Sequence, residues 1–156
     1  MNDATEVVFQ AGLVKGGEGV FTSSHGKIKR ISDTAHSAKK FTDFRNANIN
    51  NNHTVAFFAR NEINDYEGIF TGYGGAITRI ADNKNPWFDG FSFAVTINEP
   101  KSIPFAAALK KGGSGLFVGT DKNIRTIADT NGPFVNFMET GFSGRAIASS
   151  NSLNSQ

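Results

Sequence analysis

The hydrophobic pattern along this chain has period two in short stretches, and the stretches themselves recur. Val7, Phe9 and Ala11 alternate with Val8 and Gln10; Val55, Phe57 and Ala59 repeat the arrangement, and Ile103, Phe105 and Ala107 repeat it again. Alternation of this kind, carried by β-branched and aromatic residues, predicts half-buried strands. A glycine at Gly19, Gly68 and Gly115 opens a second strand containing Phe21, Phe70 or Phe117. Turn-type clusters follow, at 24–26, 72–75 and 120–123, as expected of hairpins. A third strand carries Ile28 and Ile31, Ile77 and Ile80, or Ile124 and Ile127, and ends on Asp33, Asp82 or Asp129. A fourth is expected over 41–50, 88–98 and 134–143, led by Phe41 and Phe44, Phe88 and Phe91, and Phe134 and Phe137. No segment has a 3.6-residue period, so no long helix is expected.

Twelve of the 15 phenylalanines thus fall at four repeated positions. A repeat that regular defines the architecture. The 156 residues form a single all-β repeat domain over 1–156, with copies at about 7–53, 54–101 and 102–148 and a polar tail at 149–156. Three four-stranded copies of about 48 residues fit two closed designs. One is a set of β-propeller blades closing as an oligomer, since propellers need four or more blades and a homodimer would supply six. The other is a β-trefoil monomer. Pro104, on a first strand, predicts that one edge there is free of ladder bonds.

Composition narrows the functional classes. Sixteen basic and 14 acidic residues leave a net charge of +2, scattered without the dense basic patch that nucleic-acid binding requires. There is no cysteine, hence no disulfide, thiolate metal site or cysteine nucleophile. The start, MNDATEVVFQAG, lacks the pattern of a signal peptide, and no apolar run has the length of a membrane span.

Catalytic chemistry finds little footing. His25, His36 and His53 occupy three different repeat positions, without metal-ligand spacing. Asp33 and His36 form an acid–base pair on paper, but the other copies have no histidine there. The glycine-rich stretches 72–75 and 111–115 lack the order of a phosphate loop. Neither catalytic residues nor a cofactor or metal is expected. Asp33, Asp82 and Asp129 read as Asx turns, the alternative being a ring of carboxylates around a cation.

Sites in repeat proteins tend to use what varies between copies. Trp87 aligns with Lys40 and Pro133, and Tyr66 and Tyr73 fall in loops. These three aromatics, beside Asn, Asp and Lys, are the candidate ligand-binding residues for a glycan or a protein segment. Phe9, Phe57 and Phe105 are structural. Phe58, Phe93 and Phe142, the unrepeated phenylalanines, are expected to pack at joints. The reading that follows is a non-enzymatic, lectin-like binding module; a structural assembly unit is the alternative, and a hydrolase a distant third.

The stretch 50–57, NNNHTVAF, together with GIF at 68–70, TRIAD at 78–82 and NGPF at 131–134, resembles the NxxGxxAF tandem-repeat family of bacterial proteins. The resemblance spans about 7–142. His53 stands where that family has glycine, and the joint 97–105, INEPKSIPF, also lacks it. The resemblance implies an open-ended number of repeats, which suits blades or solenoids rather than a trefoil, and an extracellular or cell-surface setting. It implies no particular activity.

Overall fold

A computed structural model describes residues 1–37, 40–93, 95–99, 101–135 and 137. Its strands make three antiparallel sheets, each in chain order. The first holds β1 (Val7–Gly12), β2 (Glu18–Ser24) and β3 (Lys27–Asp33). The second holds β4 (Asp43–Ile49), β5 (Val55–Asn61), β6 (Tyr66–Gly72) and β7 (Thr78–Asp82). The third holds β8 (Phe88–Phe91), β9 (Ile103–Leu109), β10 (Ser114–Gly119) and β11 (Ile124–Asp129). Among the described residues the helical content is one 3-10 turn, Glu62–Asn64, capped by Asn61 Oδ1, which accepts from the amides of Ile63 and Asn64 at 3.0 and 3.3 Å. Among the described residues no helix is long and apolar enough to cross a membrane.

The sheets are out of phase with the sequence copies. β4, the last strand of the first copy, pairs with β5 of the second, Phe44 opposite Ala59. β8, from the second copy, pairs with β9 of the third, Phe91 opposite Ala107. The first and second copies therefore each hand their fourth strand to the next sheet, and among the described residues the first sheet has three strands. The fourth strand of the third copy, beyond Phe137, and the tail lie outside the described residues, as does Phe142.

The hand-over follows from a turn. Asn50 N donates to Thr54 O at 3.1 Å, and His53 N to Asn50 O at 3.1 Å, with His53 in the left-handed region at φ 60°. A tight turn closed by a left-handed residue ties two strands into a hairpin, so β4 must lie beside β5. The arrangement recurs at Asn98 and Lys101 (φ 72°) and at Asn2 and Thr5 (φ 58°). Each asparagine also accepts, on Oδ1, the amide four residues on: Glu6, Thr54 and Ser102, all at 2.9 Å.

These asparagines join the sheets. Asn2 Nδ2 donates to Asn50 O at 3.1 Å, and Asn50 Nδ2 donates to Asn98 O at 3.2 Å. The rungs lie 48 residues apart. Asp3 and Asn51 bond across the same step, as do Asn51 and Asn52 with Glu99.

Two cores separate three stacked sheets. Val8, Val20 and Ile31 of the first sheet meet Phe44, Val55, Phe57, Ala59 and Phe70 of the second. Ala56, Phe58 and Ile69, on the opposite face of the second sheet, meet Phe88, Ile103, Phe105 and Phe117 of the third. The middle sheet is buried on both sides, which is why β5 carries an unbroken apolar run, VAFFA, rather than polar alternation. Each fully buried phenylalanine contributes about 1.5–3 kcal/mol. Phe58 and Phe93 do pack at a joint, edge to face at 4.8 Å.

The stacking has a direction. Phe57 and Phe105 point their faces at the preceding sheet, and the equivalent Phe9 stacks on Phe21 at 5.8 Å on a face that meets no described sheet. Room for the join comes from glycine. A Cβ on Gly72 would lie 3.1 Å from Ile31 Cγ2 of the preceding sheet, and one on Gly119 would overlap Ile80 Cγ2. Pro104 sits inside the third sheet, opposite Val118, but β8 pairs only with 107–109, so among the described residues the other side of Pro104 has no strand partner.

Candidate binding site at the first junction

Where the first two sheets meet, the turn at 50–54 and the loop between β6 and β7 converge on β1 and β3. The left-handed turn directs His53 toward Glu6, and His53 Nδ1 lies 2.5 Å from Glu6 Oε2. Glu6 is buried. Lys29, on β3, sets its ammonium 3.5 Å from the centroid of the Tyr73 ring, a cation–π contact. The Tyr73 and His53 rings are 6.2 Å apart. Four side chains from two copies therefore form one polar-aromatic cluster with Tyr73 as its exposed member, 55% accessible.

Burial pushes the Glu6 carboxyl up, but hydrogen bonds from His53 and Thr22, with the positive charges of His53 and Lys29, outweigh it and hold the group below its ordinary value. Glu6 is thus a fixed anion at pH 7. A nucleophilic relay would need a hydroxyl on the imidazole; the nearby Thr22 bonds the carboxylate instead. The arrangement offers an aromatic edge beside an ammonium and an imidazole, which suits polar recognition.

The three aromatics expected to bind ligand lie in different surroundings. Tyr73 belongs to this cluster. Trp87 is 58% exposed, one residue before β8, with its ring edge-on to Phe88 at 6.4 Å. Tyr66 is half-buried: it stacks on Phe41 at 6.4 Å and its hydroxyl donates to Asp82 Oδ2 at 3.0 Å. Its phenol is pushed well above the ordinary range by burial, by the Asp82 charge and by that hydrogen bond, with Arg79 opposing. Tyr66 therefore holds a turn together.

The recurring aspartates cap turns. Asp33 Oδ1 accepts from His36 N at 2.6 Å, Asp82 Oδ1 from Lys84 N and Asn85 N at 3.2 and 3.1 Å, and Asp129 Oδ1 from Asn131 N at 2.9 Å. Arg30 and Arg79 pair with the first two at 3.3 and 3.1 Å. Among the described residues no group of three or more His, Asp or Glu is placed to hold a metal ion. His36 Nδ1 does reach Asp33, at 2.9 Å, on an imidazole that is mostly exposed. The Asp33 carboxyl is pushed up by burial but held low overall by His36 and Arg30.

Sequence reasoning missed Glu6, Lys29 and His53. His53 carried a signal, since it occupies a turn position at which the copies differ, the equivalents being Thr5 and Lys101. Compared with known proteins, the chain matches no family model, no curated protein and no solved structure.

Proposed function

We propose that the chain is a non-enzymatic all-β repeat module that recognises a glycan or a protein segment through the loops at its first junction. One observation carries this reading: in a molecule that otherwise repeats, the Glu6–His53–Lys29–Tyr73 cluster exists once. The corresponding positions of the second junction hold Thr54, Lys101, Thr78 and Thr120. A structural role would be expected at both junctions, whereas a binding role needs only one. Glycan-array and pull-down screens, repeated with Tyr73→Ala, test it. The expected result is binding that Tyr73→Ala weakens tenfold or more; blank screens together with a turnover activity would overturn it.

Several finer readings go with this one. Whole sheets stacked face to face support propeller-type blades over a trefoil, and a homodimer would supply six of them. The left-handed φ of Thr5, His53 and Lys101, at the position where NxxGxxAF repeats have glycine, supports kinship with that family and hence the cell-surface setting it implies. A purely structural assembly unit is the second reading, favoured by the two unlike faces at the ends of the stack that meet no sheet among the described residues.

A further inference from the structure

By repeat position, the two end faces of the stack are equivalent to the two sides of a junction that the molecule forms twice within itself. Within the chain, the Phe57 and Phe70 face of the second sheet seats on the Val8 and Val20 face of the first. The Phe105 and Phe117 face of the third sheet seats on the Phe58 and Ile69 face of the second. The first sheet still presents the equivalent phenylalanine face, Phe9 and Phe21, both half-buried, with Val7 42% exposed beside them. The third sheet still presents the equivalent receiving face, with Leu116 and Val118 half-buried.

The isoleucine that crosses each join shows the gap most clearly. Ile31 is 4% exposed and Ile80 7%, because each is covered by the following sheet; Ile127, at the same position, is 44% exposed. The asparagine ladder stops at the same end. Asn2 and Asn50 each donate Nδ2 to the next turn's carbonyl, while Asn98 has no such acceptor among the described residues. The outer edge of β1 likewise has no strand beside it among the described residues, whereas β5 and β9 are led by β4 and β8. Phe134 and Phe137 repeat, after β11, the spacing of Phe41 with Phe44 and of Phe88 with Phe91 that leads those two sheets.

We propose that a second copy of this chain docks head to tail: its first sheet, through Phe9 and Phe21, seats on the third sheet of this one, over Leu116, Val118 and Ile127. Asn98 Nδ2 then donates to Asn2 O of the second copy, continuing the ladder. The contact is heterologous, so it closes into a ring or extends as a filament. Ser23 stands where Gly72 and Gly119 make room for the crossing isoleucine. This join therefore sits slightly wider than the one at Gly72, where even a bare Cβ would come within 3.1 Å of Ile31 Cγ2. The inference deepens the self-association part of the proposed function and does not involve Tyr73.

Light scattering behind a sizing column, over a wide concentration range, tests it with Phe21→Glu and Ile127→Glu. Both residues lie outside the two cores, and a retained cooperative melt confirms folding; Val7→Glu replaces Phe21→Glu if that variant fails to melt cooperatively. Wild type is expected to run at twice 16.8 kDa or more, and each variant alone to lose that association at the same concentration. Mixed one to one, the variants are expected to form a pair that grows no further, because one brings an intact tail and the other an intact head. A wild type monomeric throughout overturns the proposal. Association of the wild type without recovery on mixing also overturns it, while leaving self-association itself standing.

Discussion

Gly68 lies opposite Asp82 across β6 and β7, so close that a Cβ on the glycine would sit 2.9 Å from the aspartate Cβ. Gly19 with Asp33 and Gly115 with Asp129 repeat the relationship. The recurring glycine and the recurring aspartate are one device: the first makes room for a strand that the second then turns. Gly68→Ala forces backbone to move and should cost about 1–3 kcal/mol. Gly75→Ala, where a Cβ meets nothing within 4 Å, should leave the melting temperature nearly unchanged. Thermal unfolding of the two variants side by side checks the contrast.

Lys101 is exposed and left-handed, at φ 72°. A non-glycine residue there carries a strain of about 1–2 kcal/mol, partly offset in Lys101→Gly by about 0.5–1 kcal/mol of added backbone freedom in the unfolded chain. Lys101→Gly should therefore raise the melting temperature by roughly 1–4 °C, measured by calorimetry.

Acid should weaken the first junction. The Glu6 carboxyl is held below its ordinary value of 4.5, so the stability it contributes is full above that pH and is lost as the pH falls through the lower folded-state value. Glu6→Gln should flatten the acid limb of a stability–pH profile and lower the plateau at neutral pH. A variant profile parallel to the wild type from pH 6 to 3 would contradict this.

Tyr66 gives the opposite limb. Its phenol is raised, so its contribution is full below the ordinary value of 10.0 and declines as the pH rises beyond it. Tyr66→Phe removes a hydrogen bond to a carboxylate and should cost about 1.5–3 kcal/mol at neutral pH. The penalty should shrink above pH 10. Urea unfolding at pH 8 and at pH 10.5 measures both.

Much of this was legible from the residues. The phenylalanine period marked the repeat because the same side chains fill both cores, but the alternation at Val7, Phe9 and Ala11 did not say which face is covered: Val8, from the opposite face, is the β1 residue that meets the second sheet. The phase of the sheets was not legible: a strand pattern such as that of β4 says that a strand exists, and the turn at 50–54 decides which neighbour it joins. Asn2, Asn50 and Asn98 have the same period as Phe9, Phe57 and Phe105, so that signal was present in plain spacing. The Glu6–His53 pair was hidden for another reason. A period identifies equivalent residues, whereas contacts between copies depend on the direction in which the sheets stack, and Lys29 meets Tyr73 only because that direction brings β3 against the loop after β6.

The hand-over of a strand from each copy to the next also bears on how such a chain can lengthen. A duplicated stretch of one period adds one complete four-stranded sheet wherever the breakpoints fall, because the strand borrowed at one border is lent at the other. Gene duplication need not respect the boundaries of the folded unit, and every mismatch it creates is passed outward to the two termini.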